Sequence, residues 1–312
     1  MIKLSIIIPY HNEDSLRDTL YFLNLQQVID YSEIEILIIN NCYKPISIES
    51  FVEGLDKIKS AVYYYNVPGD NGPGPSQQFG INIARGDYVM ILDCGDLIYS
   101  VLSLHNVLEY IQTNKDYYSF EFINTTPTSM HRDGGKNLSY SVAWDKVYNK
   151  KFLLDNGICF APDILYAEDV HFTKLLLSIP ANWEGIDEPL YIHLLNYSSL
   201  GNSQFNNKDN FKRYIKDVIR SNEIEFEFVK AHNIDKDVVT PFCPYPFWYM
   251  QQYLVEHPED YEEIDNYVCS LWKEYILKYN PSLKFPNAEN CINYIEETYV
   301  QFIKRNFSEA DL

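Results

Sequence analysis

Residues 72–98 read GPGPSQQFGINIARGDYVMILDCGDLI, and this stretch decides the fold of the chain. A turn rich in glycine and proline leads into a helical pattern, and an apolar run at residues 88–92 follows. Such a run is typical of a strand buried on both faces of a parallel sheet, and these sheets bind ligands at the carboxyl ends of their strands. Asp93 and Asp96 come directly after the run. The stretch predicts a site for a divalent metal and a diphosphate, with a plain Asp- and Gly-rich turn as the alternative.

The segments before this stretch alternate between strand and helix patterns. Apolar runs at residues 4–9, 34–39 and 61–67 are typical of strands, and amphipathic stretches separate them. This alternation predicts a parallel sheet with right-handed crossovers. We therefore expect the first part of the chain to form a nucleotide-binding half of the doubly wound kind.

The pattern loosens after residue 100. We expect a helix near residues 102–112, a strand near 117–123, a mobile polar loop at 124–139 and a second ordered block at 142–177. After about residue 201 the sequence is helical, acidic and aromatic. The expected organisation is one α/β domain at residues 1–204 and a small helical domain at residues 205–312, which would serve acceptor binding or oligomerisation.

The composition argues against a general attraction to polyanions. With 44 acidic and 25 basic residues, the 312-residue chain has a formal net charge of −19, which opposes non-specific binding of nucleic acid or anionic lipid. One helical pattern carries a basic stripe, formed by Lys208, Lys212, Arg213, Lys216 and Arg220. A solvated helix face is the plain interpretation of this stripe, and contact with a polyanionic acceptor is the alternative.

The cysteines and the apolar runs indicate the compartment. The 6 cysteines show no C-x-x-C pair and no zinc-type spacing, so we expect reduced thiols. The chain enters a strand pattern without a cleavable leader, and no window approaches ~18 uninterrupted apolar residues. We expect a cytoplasmic protein without a transmembrane segment, while oligomer formation stays open.

Polar residues also follow the first two strand patterns. The loop after the first strand offers Pro9, Tyr10 and Glu13 to a nucleoside. Asn40 and Asn41 follow the second strand, where an amide can read a base edge, although an Asn pair is also a common turn.

The turn at residues 69–75 precedes the helix pattern of residues 76–84, and the free amide groups of a helix start favour phosphate. The turn, which contains Gly72, matches neither G-x-G-x-x-G nor the Walker pattern. A Rossmann dehydrogenase and a P-loop enzyme are therefore disfavoured.

Two blocks of short motifs follow one another along the chain. The first block reads PYHNE at 9–13, NGPG at 71–74, GI at 80–81, ARGDY at 84–88 and LDCGD at 92–96. The second block reads AWDKVY at 143–148, NGICF at 156–160 and YAEDVHF at 166–172. Together they resemble the nucleotide half and the acceptor half of a family 2 glycosyltransferase. The resemblance covers roughly residues 1–200 and depends on the order and spacing of several weak motifs.

The resemblance implies a GT-A fold, with a doubly wound and mostly parallel sheet, and an inverting hexosyl- or pentosyl-type transfer. An acceptor hydroxyl would attack the anomeric carbon of a nucleotide-diphosphate sugar, with a UDP-sugar as first choice, while Mn²⁺ or Mg²⁺ neutralises the leaving diphosphate. Asp169 would be the general base, and Glu168 would orient it or take its place. Capping of a helix start is the alternative for this acidic pair. A glycan or lipid-linked sugar is the acceptor that the resemblance implies.

Three positions depart from the pattern of the family. Gly95 stands at the middle acidic position of the usual Asp-x-Asp, so Asp96 becomes the favoured metal ligand, with Asp93 nearer the ribose. Asn40 and Asn41 stand where the family usually has acidic residues, which leaves the base open. Gln77 replaces the usual arginine and removes a cation that would face the diphosphate.

The predicted site residues thus fall into three groups. The catalytic pair is Glu168 and Asp169, the donor-binding residues are Pro9, Tyr10, Glu13, Asn40, Asn41, Gly72, Gln77 and Asp93, and the metal ligands are Asp93, Asp96 and His193. His193 is included because it follows the acceptor half, where related folds return a late residue to the cleft. A satisfied buried histidine is the alternative.

Three other functions remain open. A transfer to hydroxyl groups of modified, hydroxymethylated DNA would use the basic stripe, although the acidic charge disfavours it. A nucleotide-sugar-binding protein without turnover would fit the substitutions at Gly95, Asn40 and Gln77. A sugar nucleotidyltransferase is weakened by the lack of an Arg- and Lys-rich loop after the first strand.

Overall fold

In a computed structural model the chain divides into two compact units, Met1–Tyr197 and Ser198–Leu312. The structure describes residues 1–10, 13–41, 46–67, 69, 72–125, 129–136, 138, 142–194, 207–234 and 253–279. The domain boundary predicted between residues 204 and 205 lies outside the described residues, as does the side chain of Glu13. The division into domains 1–204 and 205–312 therefore stays a prediction.

The first half of the first unit is a parallel sheet, as predicted. Its strands are β1 (Leu4–Tyr10), β2 (Ile34–Asn40), β3 (Val62–Asn66) and β4 (Tyr88–Ile91), in the spatial order β3-β2-β1-β4 with parallel pairings throughout. The helices between them are α1 (Glu13–Asn24), α2 (Ile48–Val52) and α3 (Pro73–Ile83). Every residue of β1, β2 and β4 is buried, which explains their uninterrupted apolar runs.

Two of the glycine motifs serve packing. A Cβ atom at Gly80 of α3 would lie 2.4 Å from Cγ2 of Ile7, so the helix can lie this close to β1 only without a side chain there. At the amino edge of the sheet, the buried carboxylate of Glu35 pairs with Nε of Arg85 at 2.6 Å and accepts from the hydroxyl of Ser5 at 2.7 Å. The same hydroxyl accepts from the amide of Gly86 at 2.9 Å. The ARGDY motif therefore joins β1, β2 and β4 at the edge away from the predicted site.

The second half of the first unit extends the same sheet with mixed pairings. Its strands are β5 (Leu97–Ile98), β6 (Tyr117–Thr125), β7 (Met130–Gly134), β8 (Lys146–Asn149) and β9 (Trp183–Leu194). Its helices are α4 (Ser103–Tyr110), α5 (Lys150–Asp155) and α6 (Glu168–Leu177). The order runs β4-β8-β6-β9-β5, with β7 on β6, and only β6 and β9 pair in parallel. The prediction of a mostly parallel sheet therefore describes its first half, whereas most pairings in the second half are antiparallel.

The stretch predicted as a mobile loop is partly a hairpin, and that prediction was wrong. β6 continues to Thr125, and β7 pairs with it antiparallel from Glu121 opposite Gly134 to Thr125 opposite Met130. Apolar periodicity missed β7 because its sequence, MHRDG, has three charged or polar residues in a row after Met130 and is exposed except at its last residue.

The described residues of the second unit include the long helices α7 (Lys208–Ala231) and α8 (Tyr261–Tyr279). Four of the five cations of the basic stripe have carboxylate partners within this unit: Lys208 with Asp260 and Glu263, Lys212 with Glu263, Arg213 with Asp217, and Arg220 with Glu223. A search of the described ranges finds no helix that is both long and apolar enough to cross a bilayer. The cytoplasmic location stays a prediction.

Candidate active site

Asp96 is buried where β4 gives way to β5, and the end of β9 surrounds its carboxylate. The hydroxyl of Tyr191 donates to Oδ2 at 2.8 Å, Nδ1 of His193 lies 2.9 Å from the same oxygen, and the amide of Leu194 donates to Oδ1 at 2.9 Å. Pairing of β5 with β9 brings these segments together. When Nδ1 of His193 donates to this carboxylate and the imidazole is neutral, Nε2 is the ring nitrogen that can bind a metal.

Trp144 lies beneath this contact. Its ring stacks on Tyr191 at 4.5 Å and on His193 at 5.2 Å between centroids, both at 21°, and meets Phe122 edge to face at 4.6 Å. A tryptophan held on three sides restricts the rotamers of the rings that it contacts. It therefore fixes the two side chains that hold Asp96.

Asp93 stands in the turn between β4 and Asp96. Gly95 has φ +104° in this turn, and the amide of Asp96 donates to the carbonyl of Asp93 at 3.1 Å. Burial raises the pKa of the Asp93 carboxyl well above its ordinary value, and the charges of Asp169, Asp96 and Glu168 raise it further. The carboxylates of the turn after β4 and of the start of α6 therefore lie close enough together to interact electrostatically.

Asp169 is held at the start of α6 by the segment before β8. Its Oδ2 accepts from the amide of Ala143 at 3.3 Å, and its buried Oδ1 has no hydrogen-bond partner among the residues that the structure describes. Burial raises the pKa of Asp169 to about 6, opposed by the Ala143 amide and by the charge of Lys146. Glu168 precedes it, and its Cβ would lie 3.4 Å from a Cβ placed on Gly74 of α3. The starts of α3 and α6 are therefore neighbours.

A buried ion pair lies behind Asp169. The side chains of Lys146 and Asp145 are both fully buried and bonded to each other, and Nζ of Lys146 also donates to the carbonyl of Val142 at 2.9 Å. Burial raises the pKa of Asp145 to about 6, and the charge of Lys146 opposes that rise. The positive charge that faces Asp169 is therefore held without solvent.

The asparagines after β2 are engaged within the protein. Asn41 donates to the carbonyl of Gly72, which has φ +77° and precedes α3, so it holds the turn that the sequence predicts for the diphosphate. Asn40 is fully buried, and its amide donates to the hydroxyl of Tyr64 at 2.8 Å and to Oδ1 of Asn66 at 3.1 Å. Asn40 therefore uses the donors of its side-chain amide inside the sheet, and its contact with a base stays a prediction.

The remaining predicted donor residues lie at the same carboxyl edge. Pro9 and Tyr10 end β1, and the buried ring of Tyr10 meets Phe51 edge to face at 6.3 Å. Gln77 is 1% exposed, and within the described part of the chain neither its buried Oε1 nor Oγ of the preceding Ser76 has a hydrogen-bond partner. Unpaired buried polar atoms near a helix start are typical of a surface that a polar ligand completes.

A comparison with protein families identifies this arrangement. The model described as glycosyl transferase family 2 matches residues 5–166. The chain belongs to glycosyl transferase family 2.

Curated relatives of this family 2 member include larger proteins. A poly(ribitol-phosphate) beta-glucosyltransferase of Bacillus spizizenii is 26% identical over 184 residues, which cover 55% of this chain and 29% of that protein. The poly(ribitol-phosphate) beta-N-acetylglucosaminyltransferase TarS of Staphylococcus aureus is 22% identical over 185 residues, which cover 55% of this chain and 32% of TarS. The chain thus spans about a third of the length of these relatives.

Solved structures confirm the predicted GT-A fold. Residues 1–349 of S. aureus TarS in complex with UDP align with a TM-score of 0.58 at 19% identity, over 96% of this chain and 92% of that one. The mannosyltransferase PcManGT from Pyrobaculum calidifontis, in complex with GDP-Man and Mn²⁺, aligns with a TM-score of 0.51 at 13% identity, over 97% and 80%. At these identities the likeness establishes the fold.

The family 2 site has a donor set that suits a divalent cation. Three hydrogen bonds leave one lone-pair direction on the Asp96 carboxylate, Nε2 of His193 is open, and no described residue donates to the Asp93 carboxylate. These three residues are not a ready-made cluster, since the one group of three ligand atoms within 4.8 Å of one another in the described ranges is His257, Glu259 and Asp260. A cation would therefore complete its shell with diphosphate oxygens, as Mn²⁺ and Mg²⁺ commonly do.

Sequence reasoning missed three residues of this site. Tyr191 donates to Asp96, Trp144 stacks on Tyr191, and Lys146 carries the positive charge that faces Asp169. Trp144 and Lys146 lie in the AWDKVY motif, which was used only to support the resemblance. Period-two alternation would have placed Tyr191 on the face of His193, and this was the available signal.

Proposed function

We propose that the chain is an inverting, nucleotide-sugar-dependent glycosyltransferase that moves a sugar onto a hydroxyl group of a glycan. The observation that carries the proposal is the meeting of Asp93, Asp96, Glu168 and Asp169 at the carboxyl edge of the sheet, where burial and mutual repulsion raise the pKa of Asp93. Repulsion of this kind is costly in a protein without ligands, and it is relieved when cationic or proton-donating substrate groups bind.

Asp169 is the general base of this proposal. A carboxyl with a pKa of about 6 is ionised at neutral pH and still basic enough to take a proton from an attacking hydroxyl. Its unpaired Oδ1 is the atom that receives this proton. The amide of Ala143 fixes the other carboxylate oxygen of Asp169, Oδ2. Glu168, at the same helix start, would orient the Asp169 side chain.

The donor would lie across the turn after β4 and the start of α3. Asp96, His193 and Asp93 would hold Mn²⁺ or Mg²⁺, which would neutralise charge on the leaving diphosphate. Gly72 and Gln77 would face the diphosphate. The ends of β1 and β2, with Pro9, Tyr10, Asn40 and Asn41, would face the nucleoside. A UDP-sugar is the first choice, which agrees with the UDP complex of TarS.

The acceptor in this proposal is a glycan. The names of two relatives give poly(ribitol-phosphate) as the polymer on which those proteins act. We therefore place a polyol-containing glycan ahead of a lipid-linked sugar. The basic stripe was the main argument for modified DNA as the acceptor. Four of its cations are paired with carboxylates, which weakens that argument.

Nucleotide release from UDP-, GDP-, CMP- and TDP-sugars, with and without Mn²⁺ and with ribitol 5-phosphate as trial acceptor, tests the proposal. We expect metal-dependent release from one donor, lost in Asp169→Asn and in Asp96→Asn. Asp155→Asn, at an exposed carboxylate that ends α5, is the matched control and should keep full turnover. Donor binding without release from any sugar would favour the binding protein without turnover.

A further inference from the structure

The edge of the sheet beside the candidate site carries three polar side chains at one register. Asn124 of β6 lies opposite His131 of β7 on one side and opposite His193 of β9 on the other. Side chains at the same register position of paired strands share a face, so these three form one row, which we call the polar row. His193 is therefore both a contact of Asp96 and the inner end of this row.

The polar row is open to solvent at its outer end. His131 is exposed, Asn124 is half-buried and the side chain of His193 is 33% exposed. The side-chain amide of Asn124 donates to Nε2 of His131 over 3.4 Å. This bond leaves the Nδ1 proton of His131 and the carbonyl oxygen of Asn124 for a ligand.

Buried aromatic rings occupy the neighbouring register on the same face. Phe122 lies opposite Tyr191 and opposite Asp133, and Trp144 covers Phe122 and Tyr191. The charge of Asp133 raises the pKa of Asp145, so this face lies near the ion pair of Asp145 and Lys146. These rings are buried, and Trp144 stacks on His193, so they hold the polar row in position. A fixed row of polar groups beside the general base of the proposed function suits the binding of a hydroxylated acceptor.

We propose that Asn124 and His131 form an acceptor subsite that binds hydroxyl groups of a polyol or sugar unit next to the one being modified. This proposal deepens the proposed function and rests on it. The row offers donors and acceptors in alternation, which matches hydroxyl groups, since these both donate and accept. A phosphodiester group only accepts hydrogen bonds, and the carboxylate of Asp133 on the same face would repel any phosphate through its negative charge.

The opposite face of the same hairpin provides a matched control. Arg132 lies between His131 and Asp133 in sequence but points to the other face, where it pairs with Glu121 at 3.3 Å. A substitution of Arg132 perturbs β7 as much as one of His131 does, without touching the polar row.

Direct binding tests the subsite without turnover. Ribitol is titrated into the full chain while the imidazole resonances of His131 are followed by NMR. We expect saturable shifts, with affinity about tenfold weaker in Asn124→Ala and unchanged in Arg132→Ala. Absence of any shift, equal loss in Arg132→Ala, or shifts with inorganic phosphate but not with ribitol would overturn the proposal. Asn124→Asp, which keeps the size of the side chain, repeats the test if Asn124→Ala unfolds.

Kinetics separate this proposal from the proposed function. Asn124→Ala and His131→Ala should raise the KM for ribitol 5-phosphate about tenfold and leave nucleotide release to water unchanged. If the native chain releases nucleotide from no donor, the proposed function fails while the NMR result still decides whether the subsite exists. A fall in release to water equal to the fall in transfer would overturn the subsite.

Discussion

The two edges of the parallel sheet hold their carboxylates in opposite ways. At the amino edge, Glu35 is buried and accepts from Arg85, from Ser5 and from the amide of Arg85. At the carboxyl edge, Asp93 is surrounded by Asp96, Glu168 and Asp169, and burial together with their charges raises its pKa. The same residue chemistry stabilises the fold at one edge and costs stability at the other, which is the pattern expected of structural and of functional carboxylates.

The largest expected effect is on turnover at the carboxyl edge. Asp169→Asn keeps the size of the side chain but removes the proton acceptor, so we expect transfer to fall by roughly 10²–10⁴. Binding of the donor should change little. Steady-state kinetics and calorimetric titration of the donor measure the two quantities, and equal loss of both would show that Asp169 serves binding instead of proton transfer.

Substitutions at the amino edge should change the stability of the fold and leave turnover unchanged. Glu35→Ala leaves the Ser5 hydroxyl and the Arg85 amide without their acceptor, and we expect a loss of about 3 kcal/mol in the free energy of unfolding. Glu33→Ala removes an exposed partner of Lys3 two residues away and should cost less than about 1 kcal/mol. Urea denaturation measures both, and a similar small loss in the two variants would remove the contrast between the edges.

An acidic residue at position 95, where the family usually has one, should destabilise the turn at the carboxyl edge. Gly95 has φ +104°, and a Cβ there would lie 3.1 Å from Cβ of Ser15. Gly95→Asp and its control Gly95→Ala should each lose about 1–2 kcal/mol, because both carry the same backbone strain. Mn²⁺ binding, followed by electron paramagnetic resonance in the presence of UDP, should not tighten in Gly95→Asp. Tighter binding would show that the turn accepts a third carboxylate.

The smallest effect is a gain of stability from losing a carboxylate. The pKa of Asp93 is raised in the folded chain, so the folded state keeps a proton that the unfolded state has lost, and stability falls as pH rises from about 4 through the raised pKa. Asp93→Asn removes this loss and should raise the melting temperature at pH 7.5 by roughly 2–4 °C. At pH 4 the melting temperatures should converge. A difference that does not depend on pH would mean that repulsion is not its cause.

The regularity of each region decided how much of it could be predicted from the sequence. Buried strands such as β1 and β4 show as apolar runs, and their carboxyl ends located Asp93 and Asp96. The pairing of β5 with β9 joins residues far apart in the chain, so no local pattern indicated that Tyr191 holds Asp96. The engagement of Asn40 with Asn66 is equally non-local, since it depends on the register of β2 and β3.

The hydrogen bond between Leu194 and Asp96 closes a loop of 98 residues. Contacts of such long range form late in folding, because the chain must first lose the entropy of the intervening segment. During synthesis the strands β1 to β4 can pair before β9 has been synthesised. We therefore expect the parallel half of the sheet to form before the hydrogen bonds around Asp96. In a nascent chain the hydrogen bonds that surround Asp96 would then form only after β9 has been synthesised.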